Sequence, residues 1–277
     1  MNNIRLFMCC HKDFETVPPL FEPIQCGAAI SKPVEGSLPD NTGDNISNKN
    51  HEYCELTAHY YVWKNINADY YGFCHYRRFF SANTAIKKPY VALGKLHDSS
   101  MLGTSDEWMR IITSHQLIVP RSENMGLTAR KHYCTSLYHY SEDLDLFIQI
   151  ISEHFPEFSA DAQEYLSQNN QYFCNMFIMD RKHYKEYCNV LFSVLEKFDQ
   201  RKRIHGDFQS DRTDGYLGEI FTGIYIHHCF KNGTDILEVP RLDLFCSFRK
   251  RAWYRLFPPE SQRRFLVKKV FKWFRRI

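Results

Sequence analysis

No segment of the 277 residues comes near the ~18 to 20 unbroken apolar positions that a membrane-crossing helix requires, because His, Arg or Lys interrupts even the richest of them. A bilayer span is not expected. Gly and Pro are sparse, at 12 and 11, which excludes fibrous and low-complexity chains. Ten cysteines are present, yet none forms a C-x-x-C and, after the adjacent Cys9 and Cys10, they are scattered. That pattern offers no secreted disulfide framework and reads as buried thiols in a reducing cytoplasm. The first residues, MNNIRLFMCCHKDF, carry one Arg, a short apolar run and no small-residue cleavage site, so they are expected to form a strand rather than an export signal. Also missing are a Walker loop, a G-x-G-x-x-G and a G-x-S-x-G, which removes the commonest nucleotide-hydrolase, dinucleotide and serine-hydrolase readings. None of the thirteen histidines joins the cysteines at zinc-ligand spacing, and the adjacent His227 and His228 cannot readily chelate one ion from a helix, so structural zinc is not expected.

What is present is a chain 44% hydrophobic, 16% aromatic and 24% charged, the balance of a globular protein. Its length allows one large α/β unit or two small domains. Charge is segregated. Residues 249–277 hold eleven Lys or Arg against one Glu, so +10 sits there and, with a formal net charge of +3, the remaining chain carries −7. From Ser261 the apolar residues Leu266, Val270, Trp273, Phe274 and Ile277 recur with helical spacing among seven cations, and Pro258 and Pro259 can end the segment before it. A basic amphipathic helix of this kind suits an anionic membrane surface; docking on its own domain and a nucleic-acid contact are the alternatives. The acidic body argues against an extended nucleic-acid footprint. The division expected is a catalytic or binding body at 1–245 and a membrane-surface tail at 246–277, with Arg249 to Ile277 as the contact.

Short apolar or aromatic runs predict strands at Ile4 to Cys10, Pro23 to Ile30, Asp69 to Tyr76, Gln116 to Pro120 and Tyr172 to Met179. Helical patterns lie between them, at His51 to Ile66, Ser141 to Phe155 with Ser141 as N-cap, Arg181 to Phe198 and about Asp211 to Cys229. Alternation of this kind implies an α/β sheet covered on both faces, with ligands taken outside the carboxyl ends of its strands.

Four constellations could carry chemistry. DNTGDNISNKN, Asp40 to Asn50, crowds amides, two acids, Gly43 and Lys49 ahead of a helix, which suits phosphate or sugar hydroxyls as well as it suits an ordinary Asx-capped turn. HYRRFF places His75, Tyr76, Arg77 and Arg78 at a strand end, where two guanidinium groups can clamp a diphosphate or, alternatively, one can point to solvent and one into an ion pair. Asn175 is a polar residue in an otherwise apolar strand and needs partners, either a substrate hydroxyl or neighbouring backbone. DFQSDRTDGYLGE gathers Asp207, Asp211, Arg212, Asp214 and Glu219 at a helix start, where a carboxylate could act as general base and the other acids could simply favour the helix dipole.

Taken together, GDNIS-x-KN (Gly43 to Asn50), YCELT (Tyr53 to Thr57), Trp63 to Asn65, the strand ending HYRRFF and NMFIM (Asn175 to Met179) resemble a family of glycosyltransferase-like proteins from bacterial capsule and polysaccharide loci, long catalogued as a domain of unknown function. The similarity spans residues 1 to about 230, and the basic tail lies outside it. The resemblance implies a Rossmann-like sheet of the glycosyltransferase A type, mixed and flanked by helices, that moves a sugar from a nucleotide donor to a glycan, with some relatives linked to galactose or galactofuranose. Asp44, Asn45, Lys49, Asn50, Tyr53 and Glu55 match the signature run. His75, Tyr76, Arg77 and Arg78 match its second block, and Asn175, Arg212, Gly215 and Glu219 match later positions.

Transferases of that fold usually hold Mn or Mg through a D-x-D after a central strand, but the comparable slot here is His75-Tyr76-Arg77, so no metal ligand is assigned and arginine is expected to neutralise the leaving diphosphate. The literal D-x-D at Asp143 and Asp145 falls in a helix, where side chains two apart diverge by ~200°, and is expected to be structural. The expected protein is thus a peripheral enzyme on the cytoplasmic face of the plasma membrane, with a UDP-hexose donor and a lipid-carried oligosaccharide acceptor. In it His11 and Lys12 lie near the nucleotide, Asp44 to Asn50 hold the donor sugar or ribose, Arg77 and Arg78 face the diphosphate, and Glu219 or Asp207 is the base. The alternative is a non-catalytic nucleotide- or glycan-binding subunit of a polysaccharide assembly complex.

Overall fold

The computed structural model describes residues 2–96, 98–136, 139–203, 212–244 and 247–257, together with 263, 264, 266 and 267. Asp207, Asp211 and most of the expected tail helix fall outside them. Along the chain run β1 (Ile4–Cys10), β2 (Phe21–Gln25), β3 (Leu38–Pro39), α1 (Asn50–Tyr53), α2 (Leu56–Asn65), β4 (Tyr70–His75), β5 (Arg78–Phe80) and β6 (Tyr90–Ala92). They are followed by α3 (Ser105–Ser114), β7 (Leu117–Pro120), β8 (Glu123–Asn124), α4 (Ala129–Thr135), α5 (Ser141–His154), α6 (Ser159–Ser167), β9 (Asn170–Gln171) and β10 (Phe177–Asp180). The chain continues with α7 (Arg181–Arg201), α8 (Thr213–Lys231), β11 (Ile236–Val239), β12 (Arg241–Asp243) and α9 (Phe248–Leu256).

The main sheet is mixed, ordered β11-β7-β10-β4-β1-β2-β3, with β5, β6 and β12 continuing from the end of β4. Strands β4, β1, β2 and β3 are parallel, as are β7 and β11, while β10 runs antiparallel between β4 and β7. Period-two alternation splits the side chains of β1 between two cores. Phe7 and Cys9 join a large cluster beneath α2, α5, α6, α7 and α8, while Leu6, Met8 and Cys10 join a smaller one that contains Trp108 of α3. Helix α7 shows why: Tyr184, Tyr187, Cys188, Leu191, Leu195 and Phe198 follow helical spacing and are all buried, and Asp180 caps the start by accepting from the His183 N–H at 2.9 Å.

Three expected elements are shorter than their apolar runs. The strand expected at Pro23 to Ile30 stops at Gln25, because Gly27 takes φ +75° and the Asp40 carboxylate accepts from the Gly27 and Ala28 N–H groups, each at 2.9 Å. The helix expected over His51 to Ile66 breaks at Cys54, φ +53°, whose carbonyl is taken by the Asn50 amide at 2.6 Å and the Thr57 hydroxyl at 3.1 Å. The strand expected at Tyr172 to Met179 begins only at Phe177, because Cys174 and Asn175 are left-handed. Ser141 is the first residue of α5, not its N-cap; Tyr140 occupies that position without a side-chain hydrogen bond.

His59 of α2 is fully buried, stacked on Phe73 at 3.9 Å between ring centroids, and neither ring nitrogen has a hydrogen-bond partner. Burial lowers its pKa to about 3. The ring therefore binds its proton more readily unfolded than folded, and stability falls as pH drops below about 6.5 until pH about 3. Because an unsatisfied buried polar group costs about 1–3 kcal/mol, His59→Leu is expected to stabilise the fold by that order at neutral pH and to flatten its acid sensitivity. Urea unfolding of both proteins at pH 7 and pH 5 checks this; an equal or greater acid loss in the variant would refute it.

Candidate functional site

The carboxyl ends of β1, β4, β7 and β11 and the amino end of the antiparallel β10 share one rim, so the residues just outside these strands converge although they are distant in sequence. There lies a cleft of about 540 Å³. His11 comes from the end of β1, His75, Arg77 and Arg78 from the β4–β5 turn, Glu123 from β8, Cys174 from before β10, and Arg241 and Asp243 from β12. Helix α8 presents Arg212, Gly215, Tyr216 and Glu219, and the break between α1 and α2 turns Cys54 and Glu55 inward. A second hollow of about 260 Å³ shares His11, Cys54, Glu55, His75 and Arg212 with the first and adds Asn50 and His51. Close approach of α8 to the α1–α2 break depends on Gly215, where a Cβ would lie 3.0 Å from Cys54 Sγ.

Three arginines in this cleft lack a carboxylate partner among the described residues. Arg77 lies 4.9 Å from the Tyr76 ring centroid, Arg78 has no described ion pair although Asp243 and Glu219 act on it from nearby, and Arg212 donates from Nε to Cys54 Sγ at 3.1 Å. Arg241 differs. It binds Asp243 through two bonds of 2.6 and 3.1 Å and Glu123 at 2.8 Å, all three side chains being nearly buried. A guanidinium that keeps its charge without a counter-ion in a concave site is an anion receptor; one locked between two carboxylates is a structural post. Burial, reinforced by Arg78 and Arg77, pushes His75 well below the ordinary histidine range, and burial with Lys12, Arg77 and Arg212 lowers His11. Both rings are neutral at neutral pH, leaving the positive charge on the guanidinium groups.

Glu219 is the carboxyl in the cleft with the most raised pKa among the described residues. Its Oε1 accepts from the Cys174 backbone N–H, and burial, helped by the charge of Glu55 and opposed by that hydrogen bond, raises it to about 7. Asn175 does not line the cleft. It sits behind it, donating to Glu55 Oε1 at 2.9 Å and accepting from the Thr222 hydroxyl at 3.0 Å, so it holds Glu55 against α8. Strain accompanies this arrangement, since Cys54, Cys174 and Asn175 all have positive φ.

Of the sequence-derived candidates, the structure gathers His11, Asn50, Glu55, His75, Arg77, Arg78, Arg212 and Glu219 around the two connected hollows. It separates others from them. Asp44 accepts from the Tyr60 hydroxyl at 3.2 Å, and Asn45 closes its own turn by donating to the Gly43 carbonyl and accepting from the Ser47 N–H. Lys49 and Tyr53 both reach Asp199, each at 2.8 Å, and Tyr76 is buried beside His11. Lys12 is exposed, its ammonium 5.9 Å from the Tyr76 ring. The amide-rich run therefore contributes Asn50 to the cleft and otherwise shapes the loop. Sequence reasoning missed Tyr90, Glu123, Phe173, Arg241 and Asp243, and it assigned Arg264, which also lines the cleft, to the membrane-surface tail; among the missed residues only the alternating R-L-D of β12 carried a signal, two opposite charges on one face of a strand.

Among the described residues, the two places where three ligand atoms come within 4.8 Å lie outside the cleft. One is Asp161, Glu164 and His227; the other is Glu52, Asp199 and Asp214, which already surround the Lys202 ammonium at 2.9, 2.7 and 2.8 Å. Asp143 is buried on α5 while Asp145 is exposed and paired with Arg130, so the D-x-D does not form a joint ligand pair. The cleft has no preformed metal cage among the described residues.

Fold and cleft define an α/β protein with an arginine-lined cleft at the carboxyl ends of a mixed sheet. The chain belongs to the DUF4422 family, described as a domain of unknown function, which matches residues 5–232. It is also similar to a solved structure described as the WbbM bifunctional glycosyltransferase in its apo form, with 27% identity and a TM-score of 0.82. That likeness covers 88% of this chain and 45% of the other, so the chain spans less than half of the bifunctional protein's length. No curated protein matches.

Proposed function

We propose that this chain is a glycosyltransferase unit that moves a hexose, galactose or galactofuranose, from a UDP-linked donor to a lipid-carried glycan in bacterial surface polysaccharide synthesis. The observation that carries this reading is the placement of three arginines, without carboxylate partners among the described residues, beside a carboxyl of pKa about 7 in one cleft. The likeness to a bifunctional glycosyltransferase supports it. In this reading Arg77, Arg78 and Arg212 neutralise the diphosphate that departs from the transferred sugar, the role a cation takes in phosphoryl chemistry. His11 and Asn50 line the hollow for the nucleoside, and Glu219 takes the proton from the acceptor hydroxyl as it attacks the anomeric carbon.

A thermal-shift screen of nucleotide sugars tests it. UDP-hexoses are expected to stabilise the protein by RT ln(1 + [L]/Kd), about 2.7 kcal/mol at a hundred times Kd, with or without chelator. Indifference to every nucleotide sugar would refute the reading.

The tail completes the proposal. No described helix is long and apolar enough to cross a membrane. Helix α9 nevertheless exposes Phe248, Trp253 and Leu256 beside Arg249, and Leu266 is exposed further on. Such a surface suits the headgroups of an anionic leaflet, where a lipid-carried acceptor would also lie, at about 1 kcal/mol per cation. Removing residues 249–277 is expected to abolish sedimentation with phosphatidylglycerol vesicles, and raising salt is expected to weaken it in the intact chain. Equal binding to neutral vesicles would count against the membrane role.

A further inference from the structure

The cleft is polarised, and its second end has chemistry of its own. Beside the arginines without described carboxylate partners lies the group formed by Tyr90 of β6, Glu123 of β8 and Arg241 and Asp243 of β12. One guanidinium faces two carboxylates there, so its charge is already matched and it is not free to hold a phosphate. Glu123 Oε1 is buried against Arg241, but Asp243, which also lines the cleft, carries two lone pairs on each oxygen, so its bonds to Arg241 leave capacity to accept from hydroxyl groups. Tyr90 is half-buried in register with Arg241, whose guanidinium lies 5.2 Å from its ring centroid, and Phe173 and Tyr216 add aromatic surface to the same cleft. Aromatic faces for C–H groups beside rigid acceptors for hydroxyls suit a neutral sugar. The group is stiff, since Arg241, Glu123 and Asp243 are 5%, 7% and 9% exposed. It is also adjacent to the anion end, because Asp243 pairs in register with Arg78 across β12 and β5.

We propose that this end of the cleft is the subsite for the terminal hexose of the acceptor glycan, an assignment that rests on the transferase reading. A sugar seated on Tyr90 between the ion-paired carboxylates would present a hydroxyl toward Glu219, which lines the same cleft. Strand β12 lies beyond residues 5–232 while Tyr90 and Glu123 lie within them, so the subsite joins residues from inside and outside the family match.

Saturation-transfer NMR tests the subsite with methyl glycosides of galactose, glucose and mannose, added to the full-length protein with and without UDP. Calorimetric UDP affinity is measured on the same samples. At least one hexoside is expected to bind the UDP-loaded protein, to lose its signal in Tyr90→Ala and to keep it in Tyr90→Phe, while UDP binds all three proteins. Retained UDP binding also shows that the variants fold. The subsite is overturned if no hexoside binds, if UDP displaces it, or if Tyr90→Ala leaves the signal intact. A protein that ignores UDP yet binds a hexoside through Tyr90 would remove the transferase reading while keeping the sugar site.

Discussion

Glu219→Gln is expected to lower sugar transfer by about 10²–10⁴-fold, the usual contribution of a positioned general base, while UDP still binds. The substitution isolates proton transfer from architecture. A Gln carbonyl can accept the Cys174 N–H as the carboxylate does, so the junction between α8 and the strained Cys174–Asn175 turn should survive. The pH dependence carries the sign. A base works deprotonated, and burial holds this carboxyl at about 7, so wild-type turnover should rise with pH through that region and level off above it. The residual rate of the variant should lack that rise. Steady-state kinetics between pH 5.5 and pH 8.5 check it. A Gln variant with wild-type turnover, or a wild-type rate that falls as pH rises through 7, would remove Glu219 from this role.

How much of this was legible in the sequence follows from what each residue touches. Strand β1 matched its apolar run end to end because both of its faces are buried, and apolarity is all such a strand needs. The breaks were hidden. Cys54 leaves the helix because Asn50 and Thr57 capture its carbonyl, a competition that helical spacing does not register. Asn175 was recognisable as a buried amide in need of partners, but those partners, Glu55 and Thr222, lie 120 and 47 residues away. The run Asp40 to Asn50 looked like a ligand loop because turn formation and sugar binding use the same residue types. In the structure Asp40 spends its carboxylate on Gly27, Ala28 and Ser47. Arginine was the more informative signal. Two guanidinium groups at a strand end are costly to leave unpaired, and the sheet topology places both at the cleft.

Removing that charge is the second large effect. Arg77→Ala and Arg78→Ala should each weaken UDP binding by about 1.5–3 kcal/mol, the range for a hydrogen bond to a charged group, or roughly 10- to 150-fold. The double variant should lose more than either, though less than the product if both grip one diphosphate. Arg→Lys at either site should recover only part, because an ammonium keeps the charge without the planar fork. Stability supplies the control. Arg77 and Arg78 have no described ion pair, though Arg78 acts on Asp243, Glu123 and Glu219 from nearby, so the melting temperature should hold for Arg77→Ala and fall less for Arg78→Ala than for loss of a buried ion pair. Arg241→Ala leaves Glu123 and Asp243 buried without their counter-ion and should cost about 3–5 kcal/mol of folding stability. Calorimetric UDP titration and urea unfolding of the set separate the two kinds of arginine. A double variant that binds UDP as tightly as the parent would place the diphosphate elsewhere, and equal destabilisation by Arg78→Ala and Arg241→Ala would make Arg78 a structural residue.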